Sequence, residues 1–190
     1  MKPKHIIVEE TCKALQNGNL EIAKGLLRTK YPFTSLIPAT RRYSNYEKLK
    51  IFLRDGFIDR YSGKEMIFPP VLRILSSSFP KEFPFQKNWK MSECHLAYWQ
   101  LLPTIDHVIP VSRGGVDDES NWVCTSQLRN SAKSNWLLEE LGWILHNPGD
   151  LGTWDGLVGW FLAYKTDNPD ILEDKYINSW SLAIEKATNT

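Results

Sequence analysis

The stretch 104–135, TIDHVIPVSRGGVDDESNWVCTSQLRNSAKSN, constrains the fold more than any other part of the chain. A short apolar run (Ile105, Val108, Ile109) leads to the turn-forming pair Gly114-Gly115, and a second run follows Asn121. A helical pattern then starts near Ser126. Short apolar runs separated by glycine read as two strands joined by a turn. The polar residues of the stretch are ordered: Asp106 and His107 are adjacent, Asn121 comes fourteen after His107, Asn130 nine later, and Lys133 three later. Asn130 and Lys133 therefore share a helix face.

Those residue types suit phosphodiester hydrolysis, which needs an activated water, charge neutralisation at phosphorus and help for the leaving oxygen. An imidazole can take the proton of water near neutral pH, and one divalent metal can do the other two tasks. The order DH-x-x-P-x-S, GG, N, N-x-x-K resembles HNH endonucleases of the ββα-metal class, both free-standing bacterial proteins and the HNH domain of RNA-guided CRISPR nucleases. The resemblance is firm over 104–135, weaker over 52–64 and silent elsewhere. It implies His107 as general base, Asp106 and Asn130 as metal ligands, and Asn121 as a hydrogen-bonding brace across the loop. Lys133, on the face of Asn130, could contact the scissile or a neighbouring phosphate or be a solvated lysine, and the family mechanism implies products with 5′-phosphate and 3′-hydroxyl ends. Two protein oxygen ligands completed by waters and a phosphate oxygen suit Mg²⁺, with Mn²⁺ as substitute. A regular strand sends Asp106 and His107 to opposite faces, so the family arrangement implies a local distortion. Arg113, Arg129, Arg60 and Lys64 are the candidate DNA-backbone contacts, and double-stranded DNA is the expected substrate.

Many HNH proteins hold a structural zinc between two C-x-x-C pairs. The corresponding positions here are Asp59 and Ser62, then Ser126 and Arg129. That set cannot close a zinc tetrahedron, so no structural zinc is expected, and a salt bridge of Asp59 with Arg129 is a candidate replacement. Cys12, Cys94 and Cys124 are far apart and form neither a C-x-x-C pair nor a secreted disulfide framework. Each is expected as a buried, inert thiol.

A net charge of +1 does not mark a nucleic-acid binder, but charge is unevenly distributed. Residues 41–64 carry seven basic side chains (Arg41, Arg42, Lys48, Lys50, Arg54, Arg60, Lys64) against three acidic ones; 139–174 carry eight acidic and one basic. One face could meet phosphates while another stays clear of them, or these could be two solvated helix faces. No apolar run approaches a membrane span, and the opening MKPKHIIVEE lacks a signal-peptide core, so a cytoplasmic protein is expected.

Elsewhere the chain reads as helices. Residues 6–29 suggest a helical hairpin with Val8, Cys12 and Leu15 on one stripe, broken at Asn17-Gly18-Asn19 and resumed by Ile22 and Leu26; loop follows to Thr40. Residues 44–54 suggest a helix capped at Ser44 or Asn45, with Leu49, Phe52 and Leu53 inward. The Pro- and aromatic-rich segment 65–103 is too long for a simple connection and should carry its own small core. Within it, VLRILSSS suggests one or two turns and SECHLAYWQLL a helix with Leu96, Trp99 and Leu102 aligned; His95 reads as structural. The helix from Ser126 is expected to run on to Gly142, Thr153 to cap a helix burying Leu157, Val158, Phe161 and Leu162, and Asn168-Pro169 to start the last helix. The eight tryptophans read as packing anchors.

These readings give an α+β, predominantly helical fold: an N-terminal hairpin and loop (1–43), a nuclease core (44–145) with the 65–103 insert, and a helical extension (146–190) packed on the core. The expected function is metal-dependent endonucleolytic cleavage of DNA. Two rivals stand beside it: a nucleic-acid-binding protein without turnover, and a helical interaction module that cleaves only within a complex. A single active centre leaves a homodimer or a protein partner open.

Overall fold

Gly18, in the left-handed region at φ 72°, ends the first helix, α1 (Lys4–Gln16), with backbone bonds from Gly18 N–H to the Leu15 carbonyl and Asn19 N–H to the Ala14 carbonyl. The chain then re-enters helix as α2 (Leu20–Lys30). The computed structural model describes residues 2–33 and 42–188 and divides the chain into two units, Met1–Ala39 and Thr40–Thr190. Residues 34–40 of the expected loop, and Arg41 of the basic stretch, lie outside the described residues.

In the first unit the helices bury Ile7, Thr11, Ala14 and Ala23. The expected stripe is one position off: Val8, Leu15 and Ile22 are exposed, and so is Cys12. Both stripes satisfy helical spacing; the one with small residues wins because it lets the two backbones approach closely, with the Thr11 hydroxyl satisfied on the Ile7 carbonyl at 2.8 Å.

The second unit opens with α3 (Asn45–Arg54), whose start is a capping box: Ser44 Oγ accepts from Glu47 N–H and the Glu47 carboxylate accepts from Ser44 N–H. Its Leu49, Ile51 and Phe52 enter the main core, while Leu53 is half-buried. There Phe52 stacks on Trp180 at 6.0 Å, and Phe68 packs edge-on to Phe161 and Trp180 at 5.2 and 5.7 Å. Phe161 belongs to α8 (Val158–Asp167) and Trp180 to α9 (Lys175–Thr188), so the C-terminal helices complete this core. Gly56 allows the return segment to cross close by, because a Cβ there would sit 2.3 Å from the Gly149 carbonyl oxygen.

The segment 65–103 holds α4 (Pro69–Ser78), longer than the one or two turns expected, and α5 (Ala97–Gln100), a single turn. A second cluster of Leu72, Cys94, Ala97, Tyr98 and Leu102, flanked by Phe83, Phe85 and Trp89, covers it. Leu96 is exposed instead of buried. His95 is stacked on Phe83 at 4.1 Å and accepts Ala97 N–H through Nδ1, a structural role.

Pro103–His107 (β1) and Trp122–Ser126 (β2) pair antiparallel, with Ile105 opposite Cys124 and His107 opposite Trp122. Ser126 caps the following helix, α6 (Gln127–Lys133), its Oγ accepting from Arg129 N–H. The expected run to Gly142 is interrupted: Ser134 adopts φ 47°, and only a turn of helix, α7 (Leu138–Leu141), follows before left-handed Gly142. The start of α8 also differs, since Asp155 rather than Thr153 accepts from Leu157 and Gly159 N–H. Pro169–Glu173 is a 3₁₀ turn, and Asp174 caps α9 through Tyr176 and Ile177 N–H. Trp122 and Trp180 are buried, but Trp136 and Trp160 are exposed, so the tryptophans do not all anchor the core. The second unit is thus mostly helical around one antiparallel hairpin. No helix among the described residues is long and apolar enough to cross a membrane.

Candidate active site

Asn121 braces the loop between the two strands from within. Asn121 Oδ1 accepts from Ile109 N–H at 2.9 Å, and its Nδ2 donates to the Ile109 and Val116 carbonyls at 2.8 Å each. Gly115 runs against this brace: a Cβ there would lie 1.9 Å from the Ile109 oxygen and 2.8 Å from Asn121 Nδ2. The pinned strand end carries Asp106 and His107.

β1 stays paired through His107, and the two side chains leave it toward different partners. Asp106 meets Tyr61 and α6. Its Oδ2 accepts from Tyr61 Oη at 2.7 Å and from Lys133 Nζ at 2.9 Å, and Lys133 also donates to the His107 carbonyl at 2.6 Å. Lys133 is completely buried, with its ammonium over the Tyr61 ring, so it is not placed for an open phosphate contact; it binds the strand instead. Burial, then the charge and hydrogen bond of Asp106, push the Tyr61 pKa far up and keep its hydroxyl a donor. Asp106 Oδ1 has no hydrogen-bond partner among the described residues. Asn130 donates Nδ2 to the Ile105 carbonyl at 3.1 Å, which fixes its amide beside the same strand.

On the other side, His107 Nε2 lies 2.7 Å from Asp117 Oδ1 and 3.0 Å from Trp122 Nε1. Tyr43 Oη donates to Asp117 Oδ1 at 2.7 Å, and Trp122 Nε1 is 3.0 Å from that oxygen. Partial burial works against the charged form of Asp117, but hydrogen bonds from Tyr43, His107 and Trp122 outweigh it and hold its pKa below the ordinary value. No hydrogen bond or ion pair joins the His107 ring to Asp106, Asn130 or Lys133 among the described residues. The site has two halves, one on each face of β1. Sequence reasoning missed Tyr43, Tyr61, Asp117 and Trp122. Only Trp122 left a signal, because pairing strands across the loop places the residue after Asn121 opposite His107.

The donor chemistry at Asp106 and Asn130 suits a hard cation: one carboxylate oxygen and one amide oxygen on adjacent elements. Among the described residues, no group of three or more His, Cys, Asp or Glu side chains gathers as a metal site. Any cation here would therefore rely on the two oxygen donors and water.

The candidate DNA contacts separate sharply. Arg60 is nearly buried, paired with Asp55 at 2.9 Å and donating to the His146 carbonyl, so it belongs to the framework rather than to a binding face. Arg113 is engaged by Glu140 at 3.3 Å and the Asn135 carbonyl at 3.5 Å. Lys50 and Arg54 of the basic stretch are likewise held internally, by Glu119 and by Asp55. Lys64 is exposed, and its side chain has no hydrogen-bond or ion-pair partner among the described residues.

Asp59, Ser62, Ser126 and Arg129, the four positions matched to zinc-knuckle cysteines, line one cavity of about 210 Å³. The expected Asp59–Arg129 salt bridge does not form. Asp59 is buried and its Oδ1 already accepts from Tyr61 N–H at 2.9 Å and Thr125 Oγ1 at 2.8 Å, while Arg129 lies over the Trp143 ring at 4.8 Å. Pairing would strip water from a guanidinium that can rest on an aromatic face at less cost. Backbone bonds from Ser62 and Gly63 N–H to the Asp59 carbonyl close the turn, and the Ile58–Glu65 bridge flanks it. Comparison with protein-family models, curated proteins and solved structures finds no match to this chain.

Proposed function

We propose that the second unit is a metal-dependent endonuclease acting on double-stranded DNA. The observation that carries this reading is the Asn121 brace: it pins the strand end that presents Asp106 and His107, with Asn130 fixed to the same strand. His107 takes a proton from the attacking water, a new P–O bond forms, and the bond to the 3′ oxygen breaks. The 3′ oxygen is then protonated from solvent, leaving a 5′-phosphate and a 3′-hydroxyl. A divalent cation, Mg²⁺ with Mn²⁺ as substitute, bound at Asp106 and Asn130 supplies charge neutralisation at phosphorus and the leaving oxygen. Lys133 and Tyr61 hold the Asp106 carboxylate in one orientation, and Lys133 also holds the His107 carbonyl. Lys64, open to solvent, is a non-specific phosphate contact.

A second reading has an observation of its own. The buried Lys133 ammonium neutralises Asp106 from within, which is what a scaffold that binds DNA without cutting would retain. Supercoiled plasmid incubated with the protein and Mg²⁺ or Mn²⁺, beside EDTA and His107→Ala controls, separates the two. Metal-dependent nicking that falls about 100-fold or more in His107→Ala supports the nuclease. Equal cleavage by both proteins removes His107 as the base, and a salt-sensitive shift without cleavage favours the binder.

A further inference from the structure

We infer that Asp117 is the positioning residue of the site: it fixes His107 as the Nε2–H tautomer and leaves Nδ1 as the nitrogen that accepts the proton of water. The catalytic half of this statement rests on the nuclease reading; the tautomer does not.

The distances decide where the proton is. A carboxylate oxygen and an unprotonated ring nitrogen would oppose lone pairs at the 2.7 Å separating Asp117 Oδ1 from His107 Nε2, so a proton lies between them. The carboxylate already receives Tyr43 Oη at 2.7 Å and Trp122 Nε1 at 3.0 Å, two donors that favour its ionised form, so the proton belongs to the imidazole. Trp122 Nε1 is equally close to Nε2, but a protonated Nε2 cannot accept, and the indole N–H goes to Asp117. Tyr43 Oη is 3.5 Å from Nε2 and donates to the nearer carboxylate. The Nε2 edge is thus fully engaged, while Nδ1 has no hydrogen-bond partner among the described residues.

The consequence is chemical. A neutral imidazole has one basic nitrogen, and here it is Nδ1. When Nδ1 takes a proton from water, the ring becomes cationic against a carboxylate that is already in place, so no group has to reorganise to stabilise it. Asp117 has 42% of its side chain exposed, whereas His107 has 6%. The pair therefore joins a buried ring to an accessible loop, and Tyr43 and Trp122 prevent the loop carboxylate from turning away to solvent. Of His107, Lys133 meets the main-chain oxygen and not the ring, which leaves the tautomer to Asp117.

The test uses the full chain labelled with ¹⁵N. Long-range ¹H–¹⁵N spectra at about pH 8, where an ordinary imidazole is neutral, read the two ring nitrogens of His107 directly; its signals are identified by their loss in His107→Ala. Wild type should show one tautomer, with Nε2 protonated and Nδ1 bare, and Asp117→Ala should show an averaged pattern. In plasmid nicking, Asp117→Ala should lower kcat about 10- to 100-fold with KM little changed, and Asp117→Glu should recover part of the loss. Asp117→Leu keeps a side chain of similar size without an acceptor and carries the same test if the alanine variant does not fold.

An averaged or Nδ1-protonated wild type overturns the inference, whatever the cleavage assay shows. So does an unchanged tautomer in a folded variant that has no acceptor at position 117, or a relaxed tautomer with undiminished cleavage. Absence of wild-type cleavage with the Nε2–H pattern intact defeats the nuclease reading alone and supports the Asp117–His107 pairing.

Discussion

Asp55 and Asp106 are buried carboxylates in the same unit, and they are satisfied in opposite ways. Asp55 uses both oxygens: Oδ1 takes Arg54 Nε and Arg60 Nη1, each at 2.9 Å, and Oδ2 takes Cys124 N–H at 2.7 Å and Arg54 Nη2 at 3.2 Å. Asp106 receives both of its bonds on Oδ2, from Tyr61 and Lys133, and keeps Oδ1 in reserve. A saturated carboxylate ties the end of α3, the Asp59 turn and β2 together. A carboxylate with an oxygen to spare, next to an imidazole, can still take part in chemistry. Depth alone would not have distinguished them; the count of donors does.

The widest separation between the two should appear on removing Asp55. Asp55→Ala leaves Arg60 nearly buried without a counter-charge, and a guanidinium cannot shed its proton. A loss of about 3–5 kcal/mol is expected in urea unfolding. A loss below about 1 kcal/mol would erase the distinction between framework and site.

Asp106→Asn is the opposite probe. Lys133 would lose its counter-charge too, but the asparagine amide oxygen, the His107 carbonyl and the Tyr61 ring still receive its ammonium. The stability loss should be smaller, about 1–3 kcal/mol, while nicking falls on the order of 100-fold. Undiminished nicking by Asp106→Asn would remove Asp106 as the proposed metal ligand.

The smallest effect belongs to a carboxylate near the surface. Asp174 accepts from Arg73 Nε at 3.0 Å and from Tyr176 and Ile177 N–H. Partial burial raises its pKa, but Arg73 and those amides prevail and hold it below the ordinary 3.8. A folded-state value lower than the unfolded one contributes stability above the unfolded pKa and loses it as pH falls through the folded pKa. Asp174→Asn should therefore cost about 0.5 kcal/mol at neutral pH, since asparagine still caps the helix. The gap from wild type should close as the solution is acidified through the carboxylate range. A gap that persists in acid would assign the effect to packing.

Much of this was legible in the sequence because it depends on neighbours along the chain. Ser44 and Asn45 announced the start of α3, Gly18 the turn between α1 and α2, and the apolar runs around Gly114-Gly115 the order strand, strand, helix. The misplaced details are those for which local spacing allows two answers. The stripe Ile7, Thr11, Ala14 and the stripe Val8, Cys12, Leu15 are equally helical, and only the approach of α2 chooses between them. Arg60 looked like a phosphate contact because its neighbours are basic, yet Asp55, five residues earlier, claims it.

By itself, then, the sequence determined the mixed, mostly helical class, the hairpin-and-helix unit and the identity of the polar residues on it, because periodicity and turn chemistry are local properties. Tertiary structure decided what each polar residue does. Lys133 is drawn inward to Asp106, Arg129 rests on Trp143, and an unremarkable loop acid, Asp117, meets His107. Those partners lie 10 to 27 residues apart, beyond the reach of helix or strand periodicity, and a buried charge such as the Lys133 ammonium takes whichever partner the packing brings within reach, because leaving it unpaired costs more than any local preference can offset.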